Sequence, residues 1–250
     1  MSGHSRWSTI KRTKGAADAK RGQLWTKLIK EITVAARMGG GDPNGNPRLR
    51  RAMLDARDKN MPTDNITRAI KKGTGELEGV SYEEITYEGV GPQGVLFILE
   101  GLTDNKNRTT PELRKIFEKH NGQLAVTGVA GWAFDQKGVI DIAKEGVTEE
   151  QIFEIAVGAG ADDVEDMGET WQVRTEKSAL DGVRSAIEDA KITMLSSGLA
   201  MVPKTKKVVS GRDAEVLVNL YEALEEHDDV QKLFTDFELS EEAITALAQS

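Results

Sequence analysis

Between Gly15 and Met38 the apolar residues Leu24, Trp25, Leu28, Ile29, Ile32, Ala35 and Ala36 recur at helical spacing, while Lys20, Lys27, Lys30 and Arg37 fall opposite them. The pattern predicts an amphipathic helix with a cationic back. Gly39, Gly40 and Gly41 end it, and Asn46-Pro47 offers a cap and a first-turn proline to a second helix with Leu49, Ala52, Met53 and Ala56 inward. A third short helix is expected with Thr63 as its cap, Ile66, Ala69 and Ile70 inward, and Gly73 as its stop. Three short helices of this kind read as a small bundle.

The period then changes. ITYEG and VLFILEGL read as strands, RTTPELRKIFEKHNG as a helix, and GWAFD and GVIDIA as two strands joined at Gln136-Lys137-Gly138. A helix (TEEQIFEIAVGAG), two strands across DMGE (DDVED and TWQVRT), a helix (KSALDGVRSAIEDA) and a strand (ITMLSSGLAMV) follow. From Gly138 to Val202 this spells βαββαβ, the order of a ferredoxin-like unit. A helix (AEVLVNLYEALEEH) and a strand (VQKLFTDF) come last and complete an α+β unit begun before Gly138. The expected fold class is α+β multidomain: an N-terminal three-helix bundle, then two ferredoxin-like α+β domains, the third inserted in the second. The expected bounds are 1–75 for the bundle with its N-terminal arm, 80–136 plus 203–245 for the discontinuous domain, and 137–202 for the insert. A length of 250 residues suits two or three domains.

Charge divides the chain at the same place. The whole protein carries a formal net charge of -8, with a sequence pI near 5.1. Residues 1–72 nevertheless hold seventeen Lys and Arg against Asp18, Glu31, Asp42, Asp55, Asp58 and Asp64, a net of +11 that leaves −19 for the remainder. The Gly-rich GTGELEG at 73–79 marks the border. So uneven a distribution points to a polyanionic partner for the basic module. Cysteine is absent, which excludes a disulfide framework and thiolate metal sites. No apolar run is long enough for a signal-peptide core or a membrane span, so a cytoplasmic protein without a membrane partner is expected.

The candidate chemistry is binding rather than catalysis. Gly89, Gly91 and Gly94 satisfy G-x-G-x-x-G, but the fingerprint needs a helix to follow, and VLFILEGL reads as a strand, so a hairpin turn is expected. His4, His120 and His227 stand far apart with no ligand-like partner at metal spacing. Asp162-Asp163 and Asp228-Asp229 read as solvated pairs at element ends, with no nucleophile beside them. No catalysis, metal or cofactor is therefore expected. In TDNKNRTTPEL, a helix start marked by Thr109 or Thr110, Pro111 and Glu112 would set Lys106 and Arg108 beside free backbone N–H groups, a geometry suited to a phosphate. The competing reading is a capped surface loop in which Asp104 and Asn105 bond the local backbone.

In the N-terminal stretch His4, Ser5, Arg6, Trp7, Lys11, Arg12, Lys14, Lys20, Arg21 and Lys27 form a basic track with Trp7 and Trp25 among them. It suits phosphate contact and base stacking, although tryptophans also pack against bundles. With Asn105, Lys106, Asn107 and Arg108, these residues are the candidate nucleic-acid contacts.

GHSRW at 3–7, AADAKRGQLWTKLIKEI at 16–32, GGGDPNGNPRLR at 39–50, NMPTDNITRAIKKG at 60–73, YEGVGPQGV at 87–95, DNKNRT at 104–109 and VPKTKKV at 202–208 closely resemble the YebC family. That family includes mitochondrial translational activators of cytochrome c oxidase. The resemblance implies a three-domain protein with the third domain inserted in the second. It also implies a non-enzymatic role, either as a DNA-binding transcriptional regulator or as a translation factor on ribosomes stalled at difficult sequences such as proline runs. The ribosome and RNA reading is favoured here, because no helix carries a base-reading set of Arg, Asn and Gln at helix-turn-helix spacing. Carried over, the family's arm falls on Gly3, His4, Ser5 and Trp7, its basic helix on Lys20 and Arg21, and its loop on Asp104, Asn105, Asn107, Arg108 and Thr109. Arg6 stands where Lys is common, which retains the charge. No oligomeric state is implied.

Overall fold

The structure is a computed structural model and describes residues 17–249. In chain order its elements are α1 (Ala17–Gly39), α2 (Pro47–Asp58), α3 (Thr63–Thr74), β1 (Glu83–Val90), β2 (Leu96–Thr103), α4 (Lys106–Lys119) and β3 (Gln123–Ala125). Next come β4 (Phe134–Ala143), α5 (Glu149–Gly158), β5 (Ala161–Asp166), β6 (Thr170–Thr175), α6 (Leu180–Asp189) and β7 (Met194–Pro203). The chain closes with β8 (Lys207–Val209), α7 (Gly211–Glu225), β9 (Val230–Thr235), β10 (Phe237–Leu239) and α8 (Glu241–Gln249). The architecture is α+β and multidomain.

Helices α1 to α3 pack around Ile32, Ala35, Ala36, Leu49, Ala52, Ala56, Ile66 and Ala69. Asn46 caps α2 by accepting the Leu49 N–H at 3.0 Å, and its buried amide donates to Ala35 and Gly40 carbonyls at 2.7 and 2.8 Å. One side chain thus joins the start of α2 to the end of α1. Two expectations about α3 are corrected. Thr63 is its first helical residue, behind Pro62, and Gly73 lies inside the helix, which ends at Gly75 with φ +83°. Gly73 is needed for contact rather than for a stop. A Cβ there would lie 2.4 Å from the Thr33 carbonyl oxygen and 2.7 Å from the Ala36 Cβ, so its absence lets α3 cross against α1.

The first sheet has the order β3-β1-β2-β9, every pair antiparallel. The apolar run of β2 reflects burial on both faces. Phe97 and Leu99 enter a core with Leu113 and Phe117 of α4 and Leu217, Leu220 and Leu224 of α7. Leu96 and Ile98 enter another core with Ala130, Phe134 and Phe234, against which Ala200 and Met201 of β7 pack. The G-x-G-x-x-G segment is the β1–β2 hairpin turn, with the Gly91 N–H donating to Val95 O at 2.7 Å.

The second sheet, β5-β6-β4-β7, has the strand order of a ferredoxin-like unit, and its core joins Ile140, Ile142 and Val173 to Ile152 of α5 and Val183 and Ile187 of α6. GWAFD and GVIDIA are not two strands. Gly131–Ala133 is a 3-10 turn, and Phe134-Asp135 runs on through GVIDIA as the single strand β4, which pairs with β7 from Phe134↔Pro203 to Ile142↔Met194. Lys137 passes through the strand because its ammonium reaches Asp162 at 2.9 Å and also Glu176 on the solvent side. VQKLFTDF, by contrast, divides at Asp236, whose buried carboxylate accepts the Leu96 N–H at 2.8 Å. The short β10 then pairs in parallel with β8.

Candidate functional site

The polar centre of the molecule is Asp229, immediately before β9. A bulge in β2 at Glu100/Gly101 seats it: Leu102 N–H donates to Asp229 O at 2.8 Å, and a Cβ on Gly101 would lie 2.2 Å from that oxygen. The Asp229 carboxylate is 1 % exposed and accepts from Lys30 Nζ at 2.5 Å, Thr109 Oγ1 at 2.6 Å and an Arg108 guanidinium nitrogen at 2.8 Å. Burial alone would raise its pKa, but the bonds from Lys30, Thr109 and Arg108 outweigh it and hold the carboxyl well below the usual range. Asp229 is therefore a buried ion-pair centre, which corrects its reading as half of a solvated pair.

Lys30 belongs to α1, so this centre joins the bundle to the first sheet. Its ammonium also donates to Asp228 O at 3.0 Å and stands 5.7 Å from the Tyr82 ring centroid. The neighbours along α1 act alike. Lys27 donates to Glu225 O at 2.5 Å, where burial draws its pKa down despite Glu225 and Asp228. Arg37 donates to Ser81 Oγ at 2.5 Å and to Tyr82 O. From α2, Arg48 bridges Glu31 at 2.6 Å and Glu84 at 2.7 Å, and the Glu31 hydrogen bond raises its pKa further. Lys27, Lys30 and Arg37 of the cationic back thus lie on the face by which the bundle docks.

The loop candidates are similarly engaged. Helix α4 begins at Lys106 rather than at Thr109 or Thr110, with Asn105 as its cap accepting the Arg108 N–H at 3.2 Å, and Pro111 lies inside the helix. Lys106 pairs with Glu83 at 2.7 Å, and Arg108 pairs with Asp104 at 2.9 Å in addition to Asp229. Asn107 is exposed, and Thr109 is buried. His227 accepts the Asp229 N–H on Nδ1 at 3.2 Å, which leaves its hydrogen on Nε2, 3.2 Å from Glu112. Glu112, His227 and Asp229 thus bring three ligand-type atoms within 4.8 Å of one another, but the Asp229 oxygens already hold two cations and a hydroxyl.

His4, Ser5, Arg6, Trp7, Lys11, Arg12 and Lys14 lie outside the described residues, and Lys20 falls in the first turn of α1. Arg21 is exposed. Trp25 is half-buried against the bundle core, its indole N–H donating to Lys59 O at 3.1 Å. Sequence reasoning singled out none of the cations on the outer bundle. Arg57, Lys59, Arg68, Lys71 and Lys72 are exposed, and their side chains form no ion pair or hydrogen bond with another described residue. Arg68, Lys71 and Lys72 share one side of α3, opposite Ile66 and Ala69. The signal that could have found them was the uncompensated charge of residues 1–72, once the inward-facing cations were subtracted.

A family model described as the TACO1/YebC protein N-terminal domain matches residues 5–76, and one described as the TACO1/YebC second and third domain matches residues 82–237. The chain belongs to the TACO1/YebC family. The gap between the two matches falls between α3 and β1. Among TACO1/YebC relatives, a probable transcriptional regulatory protein of Geobacter sulfurreducens is 54% identical over 247 residues, which cover 99% of this chain and 100% of the relative. One from Desulfosudis oleivorans is 52% identical over 241 residues, covering 96% and 98%. The crystal structure of a conserved hypothetical protein from Aquifex aeolicus is similar at a TM-score of 0.84 and 42% identity, covering 92% of this chain and 95% of that one. Among the described residues no helix is long and apolar enough to cross a membrane.

Proposed function

We propose that this TACO1/YebC protein is a non-enzymatic, nucleic-acid-binding regulator of gene expression that acts on the ribosome. The observation that carries the reading is the sorting of cations in the bundle. Lys27, Lys30, Arg37 and Arg48 hold the bundle to the rest of the chain, whereas Arg57, Lys59, Arg68, Lys71 and Lys72 face outward without counterions among the described residues. Exposed cations without counterions bind phosphates with release of condensed ions, and they do so on any folded polyanion. RNA is favoured because these cations are spread over two helices and the turn between them, an arrangement that follows a backbone rather than reads a groove. The basic arm, including His4, Ser5, Arg6 and Trp7, would extend this surface into a crevice of ribosomal RNA, where relief of stalls at proline runs is the finer role.

The second reading, a duplex-DNA-binding transcriptional regulator, is favoured by the names of the relatives, probable transcriptional regulatory proteins. Co-sedimentation with ribosomes across a salt series, beside titration of duplex DNA, separates the two. Retention on ribosomes at physiological salt with only weak, sequence-independent DNA binding is expected. Absence from ribosomes together with tight, sequence-dependent DNA binding would overturn the translation reading.

A further inference from the structure

The loop between β3 and β4 is organised around a buried carboxylate. Glu88 of β1 is 8 % exposed and accepts the backbone N–H groups of Gly128 at 3.0 Å, Gly131 at 3.3 Å, and Ala130. Burial alone would push this carboxyl up, but the N–H groups of Ala130, Gly128 and Gly131 hold it below the usual carboxylate range. A loop so templated has a fixed shape, and Ala130 anchors it in the core shared by the two sheets. What it presents outward is Trp132, 70 % exposed, with Val126 nearby in the chain at 78 %. The Trp132 indole N–H donates back to Val129 O at 2.8 Å, so the ring is oriented and its polar edge is satisfied internally. Beside it, Lys204 Nζ donates to Trp132 O at 2.9 Å and makes only a loose, exposed pair with Asp135 at 3.4 Å.

We infer that Trp132 is a stacking platform for an unpaired nucleobase, with Lys204 beside it for the adjoining phosphate. The inference rests on the nucleic-acid reading of the basic bundle and adds a contact on a different part of the chain. An oriented ring that is 70 % exposed and has its indole N–H satisfied suits base stacking, which needs a face and a neighbouring cation and tolerates any base. A protein partner would instead be met by an anchor set within a wider apolar surface. The loop around Trp132 is built largely of glycine, threonine, alanine and valine. In a duplex the bases are already stacked, so the platform serves single strands or flipped-out loop bases of folded RNA.

The test compares the full-length protein with Trp132→Leu, Trp132→Phe and the triple variant Arg68→Glu/Lys71→Glu/Lys72→Glu. Binding is read by anisotropy with fluorescein-labelled oligoadenylate and with a duplex DNA of random sequence. Tryptophan emission of the parent is expected to be quenched by oligoadenylate. Trp132→Leu is expected to weaken oligoadenylate binding by about 5- to 100-fold, Trp132→Phe to keep most of it, and neither to change duplex binding. Matching thermal unfolding curves establish that the variants fold, since Trp132 is a surface residue. If Trp132→Leu binds oligoadenylate as the parent does while the triple variant loses binding, stacking is overturned and the bundle reading stands. Failure of the parent itself to bind any nucleic acid removes both. If Trp132→Leu leaves oligoadenylate affinity intact but falls off whole ribosomes, the ring meets a ribosomal protein and the stacking inference is again overturned.

Discussion

Lys30 and Asp229 are separated by 199 positions in the chain, yet their side chains meet at 2.5 Å with 8 % and 1 % exposure. This pair fixes the position of the basic bundle on the first sheet. Removing one partner of a buried pair leaves the other charged and uncompensated, at a cost of about 3–5 kcal/mol. Asp229 keeps Arg108 and Thr109, so Lys30→Met is expected at the lower end, about 3 kcal/mol, as a fall in the urea midpoint. Adding Asp229→Asn should restore part of the loss. An unchanged midpoint in Lys30→Met would mean that the bundle is held by other contacts.

The same carboxylate makes stability depend on acid. Its pKa is lowered in the folded protein, so the unfolded chain binds the proton more readily. The contribution is fully present above the ordinary carboxylate pKa of about 4 and is lost as pH falls from there toward the folded value. Glu88, also lowered, adds to the same window. The urea midpoint is expected to drop between about pH 5 and pH 2, and more shallowly in Asp229→Asn, which lacks that titration. Parallel profiles for the two proteins would remove Asp229 as a source.

What the chain disclosed of itself was mostly local. Asn46-Pro47 reads as a helix start because cap and proline act within one turn, and β2 reads as a strand because both of its faces are apolar. Helical spacing identified which residues of α1 leave the bundle core, but it is silent on whether they then meet water or another part of the chain. The pattern therefore puts Lys27 among the nucleic-acid contacts and Lys30 on a cationic back, although Glu225 and Asp229 wait for them some two hundred positions later. Pro111 misplaced the start of α4, since a first-turn proline and an interior one look alike until Asn105 is seen to cap. Arg68, Lys71 and Lys72 were visible only as charge, because a surface face has no pattern beyond its lack of apolar residues.

Gly73 offers a test of the contact between α1 and α3. Alanine favours helix by about 1 kcal/mol over glycine in an open interior position. Here the added methyl would lie 2.4 Å from the Thr33 carbonyl, a backbone atom that cannot swing away, so the usual sign reverses. Gly73→Ala is expected to destabilise the protein by about 1–3 kcal/mol as the helices separate, seen as a lower midpoint in thermal unfolding. A stabilised Gly73→Ala would show that the crossing has slack.

The outer cations make the last prediction, and their value is that folding and binding come apart. Arg68, Lys71 and Lys72 touch no counterion among the described residues, so reversing all three should move stability by no more than about 0.5 kcal/mol per site. Each phosphate contact removed should flatten the slope of log affinity against log salt by roughly 0.7 on single strands and 0.9 on duplex. The triple variant is thus expected to bind RNA more weakly with a slope shallower by about 2, measured by anisotropy between about 50 and 300 mM salt. Lys27→Ala behaves in the opposite way, because its ammonium is bonded to Glu225 O within the protein: stability falls and the salt slope stays. If Lys27→Ala flattened the slope and the triple variant did not, the nucleic acid would lie along α1 rather than on the outer face of α3.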